Sequence, residues 1–153
     1  MKNCCPVSAC SKEMAFTVVR IVLGIIFFMH GSQKVFGLWG GGGLTQTVQG
    51  MSSMGLPVVL VYLVCFTELL GGLGLIGGLL SRLSALGVGL VMVGAIVTVH
   101  LKNGFFLNWF LTPGVGHGFE YNLALVAMAT AVILGGPGCW ALDNLICKKE
   151  GGE

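Results

Sequence analysis

Glu68 stands inside the apolar run "VVLVYLVCFTELLGGLGLIGGLL", where a carboxyl group has no ordinary partner. His30 and Lys34 interrupt the end of another apolar run, in "FFMHGSQKVFG". His100 closes "GAIVTVH", and His117 and Glu120 open "GHGFEYNLAL". The chemistry open to these residue types is proton transfer. A neutral imidazole both donates and accepts near neutral pH, and a carboxyl group beside it can take or release a proton. His30 and Lys34 are four apart and His117 and Glu120 three apart, so each pair shares a helix face. Glu68 and His30 are therefore candidate proton-handling groups. With Lys34, His100, His117 and Glu120 they form a candidate ligand-binding set, a polar pocket with Glu68 at its floor. Two residues keep a second reading. Lys34 alone suits a snorkelling anchor at a membrane surface, and Glu68 suits a structural carboxyl bonded to a neighbouring helix.

Other chemistries lack their residues. Of six cysteines, Cys4, Cys5 and Cys10 lie near the start, Cys65 sits in an apolar run, and Cys139 and Cys147 follow the last such run. No C-x-x-C is present and no histidine stands near a cysteine pair at zinc spacing, so no metal site is expected. Cys4 and Cys5 read as free thiols, and Cys65 as core packing. "VSAC" at 7–10 resembles a lipoprotein cleavage box but has only six residues and no apolar stretch before it. The first long apolar run also lacks a small-residue cleavage site behind it, so it is expected to stay as a helix. No haem-ligand pair, iron–sulfur set or dinucleotide fingerprint appears, and no intrinsic cofactor is expected.

The elements that must position these groups are membrane helices. Of 153 residues, 55% are hydrophobic and 9% charged. A soluble domain carries about 25% charged residues. Mean hydropathy is +0.92, so the chain is expected to be an integral membrane protein in contact with the lipid bilayer. A net charge of +2, with no basic cluster beyond Lys148-Lys149, gives no reason to expect nucleic acid. A spanning helix takes about 20 apolar residues, and four stretches qualify: 15–36, 56–80, 83–101 and 119–135. The expected fold is all-α, an antiparallel four-helix bundle over 15–136, flanked by tails at 1–14 and 137–153. Lys2, Lys12, Arg20, Arg82, Lys148 and Lys149 fall on one side, and Lys34 and Lys102 on the other. The positive-inside rule then puts both termini in the cytoplasm. Arg20 and Arg82 would meet anionic lipid headgroups, about 20 Å from the pocket by helix rise.

The outer loops have their own pattern. "GLWGGGG" reads as a flexible hinge. After it, Leu44, Val48, Met51 and Met54 share one side of a helical circle, with Gln46, Gln49 and Ser53 opposite, the mark of a short interfacial helix. Phe105, Phe106, Trp109 and Phe110 form an aromatic belt in the second loop. On helical wheels, Arg20, Gly24, Phe27, His30, Gly31 and Lys34 fall within about 120°. Glu68 shares a side with Gly71, Gly72 and Gly78, and Glu120 shares one with Ala124, Ala127 and Ala131. Membrane helices approach one another at small residues, so all these ionisable groups are expected to face the bundle interior.

"RIVLGIIFFMHGSQKVFG", a "GLP" opening a span that carries "TELLGGLGLIGGLLSRLSAL", then "GAIVTVH" and "GFEYNLAL", resemble the DoxX family over roughly residues 20–136. The resemblance implies a four-helix bundle in the bacterial cytoplasmic membrane. The family's namesake is a subunit of a thiosulfate:quinone oxidoreductase, and other members resemble partners of redox-stress complexes or proteins linked to quinone and catechol resistance. The positions that match the pattern are Arg20, His30, Lys34, Glu68, Arg82, His100 and Glu120. The function expected from residues and resemblance together is a subunit or accessory of a quinone-linked membrane redox system, with a redox-enzyme partner supplying or taking electrons. Two alternatives stand beside it. One is a non-catalytic assembly scaffold. The other is a small-molecule or proton transporter, which four spans would support only as a homo-oligomer.

Overall fold

Helix α1 (Ala9–Phe36) runs up, α3 (Val58–Gly77) down, α4 (Ser81–Ala95) up and α5 (Glu120–Gly135) down. A short α2 (Gly43–Ser53) lies between α1 and α3, and α6 (Leu142–Glu150) follows α5. The computed structural model describes the backbone of residues 9–150 and the side-chain surroundings of residues 13–146. Lys2, the Cys4 and Cys5 thiols, and the side chains of Cys10, Lys12, Cys147, Lys148 and Lys149 lie outside the described residues. Helix neighbours follow one ring, α1 to α3 to α4 to α5 and back to α1. This is the all-α antiparallel bundle expected, and α2 is the short helix of the first loop. Its half-buried residues Leu44, Val48 and Met51 face the bundle, while Gln46, Gln49 and Ser53 are exposed.

Three stretches are long and apolar enough to cross a bilayer: Glu13–Phe36, Val58–Gly77 and Ser81–Asn103. The third includes a π turn, Ile96–His100, and a 3-10 turn, Leu101–Asn103, beyond α4. With 16 residues, α5 is shorter, about 24 Å by its rise. Local signals stop these helices where backbone chemistry requires. Gly78 takes a left-handed φ of 67° at the end of α3, and Leu79 N–H closes back on Gly74 O at 2.8 Å. The chain then turns straight into α4.

The closest packing is between α1 and α3. A Cβ on Gly31 would stand 2.5 Å from Leu69 N, and one on Gly72 would stand 2.4 Å from Phe28 N. Glycine is the only residue that lets the backbones meet here. The apolar core lies in the half of the bundle nearer the termini, where Leu23, Leu75, Ala85, Val88, Ala129 and Val132 are buried together.

Three expectations need correction. Arg20 does not reach a headgroup surface: it is 0% exposed. Its Nε donates to Pro137 O at 2.8 Å. Its Nη1 donates to Leu75 O and Ile76 O at 2.5 and 3.0 Å. Its Nη2 donates to Cys139 O and Trp140 O at 3.2 and 3.3 Å. The last carbonyls of α3 carry the negative end of its dipole and keep acceptor capacity beyond the turn that closes the helix, so a five-donor guanidinium is held there instead of extending to lipid. Second, α5 presents Asn122, Leu125, Ala129 and Val132 inward. The side with Ala124 and Ala127 is exposed. Several faces of α5 carry alanine, and the one chosen is where Ala129 meets Gly89 of α4. Third, the glycines after α1 build a defined turn. Gly37, Gly40 and Gly43 have φ of 71°, 79° and 70°, and Gln33 Nε2 donates to Trp39 O at 3.2 Å. The stretch after α5 also carries structure: Asp143 of α6 accepts from Leu80 N–H and Ser81 N–H at 2.7 and 2.9 Å, capping α4.

Candidate functional site

The glycine contact between α1 and α3 decides the central pairing. Three residues beyond Gly31, Lys34 meets Glu68 one residue before Leu69. Lys34 Nζ lies 2.5 Å from both carboxylate oxygens. Glu68 stands midway along α3 and is 1% exposed. The lysine side chain is 28% exposed. A lone carboxylate in the middle of a bilayer costs several kcal/mol, and a cation at contact distance offsets much of that. Lys34 is thus the partner of Glu68, and the anchor reading gives way.

This pair borders a cavity of about 860 Å³, within the roughly 300–1,000 Å³ typical of small-molecule sites. Its origin lies in unequal helix lengths and a splayed helix pair. Since Lys34 is level with Glu68, α1 ends near the level of residue 66. The N-terminal part of α3 runs on alone for about 12 Å. Helix α2 and the loop after α4 cover the gap. In the other direction α3 and α4 touch: a Cβ on Gly71 would meet Val88 Cγ1 at 2.9 Å, and one on Gly87 would meet Thr67 Cγ2 at 3.0 Å. Beyond that contact, Leu60, Leu63 and Val64 of α3 and Leu90, Val91 and Gly94 of α4 line the cavity instead of each other.

Five of the six residues expected in the ligand-binding set border this space: His30, Lys34, Glu68, His100 and His117. Glu120, the sixth, does not. It begins α5 on the side away from Asn122, and only its backbone is bonded into the loop, N–H to Phe105 O at 2.9 Å. The expected vertical order also changes. His30 precedes Lys34 by one turn on a helix that rises toward the loops, so it lies about 6 Å deeper than the ion pair. The imidazoles therefore flank the carboxylate from two levels, with His30 below it and His100 and His117 at the loop end.

The two loop-end histidines are held in different tautomers. His100 Nδ1 is 2.9 Å from His117 O, which only accepts, so Nδ1 carries the hydrogen and Nε2 of the neutral ring keeps its lone pair. His117 Nδ1 accepts Asn108 N–H at 3.3 Å, so in the neutral ring Nε2 carries the hydrogen. Asn103 Nδ2 donates to the same His117 O at 3.1 Å. Asn108 Nδ2 ties Thr112 O and Val115 O at 3.0 and 2.9 Å. His100 is the last residue of the π turn, a distortion often found at functional sites.

Asn122 was absent from the expected set. It is 7% exposed, lines the cavity and donates to Met92 Sδ at 3.4 Å. An amide within "EYNLALVAMA" carries the same signal as Glu68, a polar group with no water to satisfy it.

The DoxX family profile matches residues 15–101 of the chain. The chain is 35% identical to "Putative oxidoreductase CatD" of Bacillus subtilis (strain 168), over 92% of each protein. It is 29% identical to "Inner membrane protein YqjF" of Escherichia coli (strain K12), over 90% of this chain and 96% of that one. It is 28% identical to "Uncharacterized membrane protein Rv3486" of Mycobacterium tuberculosis (strain ATCC 25618 / H37Rv), over 86% of this chain and 80% of that one. No solved structure matches it. With the profile covering more than half the chain and a relative of this identity matching almost end to end, the protein belongs to the DoxX family of membrane proteins.

Proposed function

We propose that the cavity binds the head of a quinone or quinol, and that the protein serves as a membrane subunit or accessory of a redox system. The observation that carries this is the composition of one space: apolar walls from α3 and α4, with a Lys–Glu pair and three imidazoles at its polar points. A quinol gives up two electrons and two protons together. Glu68, His30 and the Nε2 of His100 would take the protons, and the Lys34 ammonium would hold an oxygen that becomes anionic. The electrons pass to a redox enzyme partner. The name of the Bacillus relative, "Putative oxidoreductase CatD", supports this reading.

By charge bias the termini lie in the cytoplasm of a bacterium, which turns the cavity toward the outer half of the cytoplasmic membrane. Beneath the cavity lies the packed core of Leu23, Leu75, Val88 and Val132, then the Arg20 cluster. That core and cluster separate the cavity from the other end of the bundle, which favours binding over transport.

The test is direct binding. Purified protein in lipid nanodiscs is titrated with a quinol analogue and followed by calorimetry. Saturable binding is expected, weakened about tenfold or more in Glu68→Gln and in His30→Ala, the equivalent of about 1.4 kcal/mol. Absence of saturable binding, or unchanged affinity in both variants, sinks the proposal.

A further inference from the structure

We infer that the cavity opens sideways into the bilayer through a slot between α3 and α4, and that its ligand is an amphiphile whose apolar tail runs out through that slot. The inference rests on the quinone reading of the polar end and adds the part of the ligand that reading leaves undefined.

Leu60, Leu63 and Leu90 each line the cavity and are 45%, 59% and 62% exposed, more than side chains sealed inside a bundle. A residue that borders an interior space and also the exterior stands at an opening. All three belong to membrane-crossing helices, so this opening faces acyl chains. Gly94 completes the rim. It lines the cavity, it is exposed, and a Cβ added to it meets nothing within 4 Å. That sets it apart from Gly31, Gly71 and Gly72, whose missing side chains let helices touch. From Leu90 of α4 to Thr98 of the π turn, both on the cavity, this stretch borders the slot for about 12 Å.

A ring that stays in water has no need of this opening. A tailed ring dissolved in the membrane gains from this opening, because its apolar tail need not leave hydrocarbon for the ring to enter. With a slot, the head reaches Lys34 and Glu68 while the tail stays in hydrocarbon.

The experiment compares two probes with the same benzoquinone ring, one bearing a decyl tail and one a methyl group in its place. Both are titrated into nanodisc-held wild type, Gly94→Trp and, from the α3 side, Leu63→Trp. Both variants fill the slot without touching the polar end. Expected is a loss for the tailed probe about tenfold or more beyond any loss for the tail-less one. Retained tail-less binding shows that the variants are folded. Equal effects on the two probes in both variants, or no effect on either, overturn the slot. Wild type that binds only the tail-less ring overturns the slot and leaves the polar site standing. Wild type that binds neither overturns both.

Discussion

The Lys34–Glu68 pair and Arg20 solve one problem in different ways. Each places a full charge inside the bundle, and each must find its partner within the protein. For Glu68 that partner is a single ammonium that touches both oxygens. Lys34→Met leaves the carboxylate buried and alone. We expect it to cost about 2–4 kcal/mol of stability, somewhat less than a fully sealed pair because the lysine is partly exposed. The double variant Lys34→Met/Glu68→Met should recover most of the loss. Thermal unfolding of the four proteins in detergent checks this, and a double variant no more stable than either single one would show that the two side chains do not act as a pair. Arg20 answers with geometry, distributing its donors among five carbonyls. Lysine keeps the charge but not the planar fork. Arg20→Lys should therefore lower stability by about 3 kcal/mol and expose the chain near Trp140 to protease, which limited proteolysis reads directly.

Between elements, the same residue type does opposite work on different helices. Gly31 and Gly72 bring α1 and α3 into backbone contact, and this contact sets the register that joins Lys34 to Glu68. Gly31→Ala puts a methyl carbon 2.5 Å from Leu69 N. The helices must part, at about 1–3 kcal/mol, and quinol-analogue binding should fall because the ion pair is pulled open. Gly94→Ala, with open space at its Cβ, should change stability by no more than about 1 kcal/mol, and in the stabilising direction, since alanine favours helix. A thermal melt of the two variants side by side distinguishes packing glycines from rim glycines. The α4 end shows a further division of labour. Its regular turns pack against α3 and α5, while its π turn places Thr98, Val99 and His100 on the cavity.

For the molecule as a whole, the chain returns to its starting side after each helix pair, so the Arg20 cluster and α6 share one end and the cavity and aromatic loop share the other. Phe106, Trp109, Phe110 and Leu111 are 73%, 73%, 93% and 74% exposed, as suits a loop resting among headgroups. The proposed orientation gives a labelling pattern. In a background without other accessible thiols, Phe110→Cys should react with a membrane-impermeant maleimide in intact cells. Leu145→Cys should react only after the membrane is permeabilised. The reverse pattern would turn the cavity toward the cytoplasm.

How much was legible follows from the range of each signal. Apolar runs of spanning length, Pro137 after the last of them, and the apolar face of Leu44, Val48 and Met51 are local properties, so the four bundle helices and α2 can be read from the chain, while α6 and the end of α3 at Gly78 cannot. The inward aim of Glu68 was also legible, because desolvation penalises a charge wherever the neighbours lie. A helical wheel, however, gives direction only about its own axis. It cannot say which neighbour waits there, and it misled for Glu120, whose alanine side faces outward. Lys34 finds Glu68 across 34 residues, and Arg20 finds Pro137 across 117. Such partners are chosen by helix register and ring order, which depend on all four helices packing at once. The sequence by itself determined a membrane bundle with sheltered polar groups. Only tertiary packing decided that the charges pair, that Arg20 closes one end, and that unequal helix lengths leave a cavity at the other.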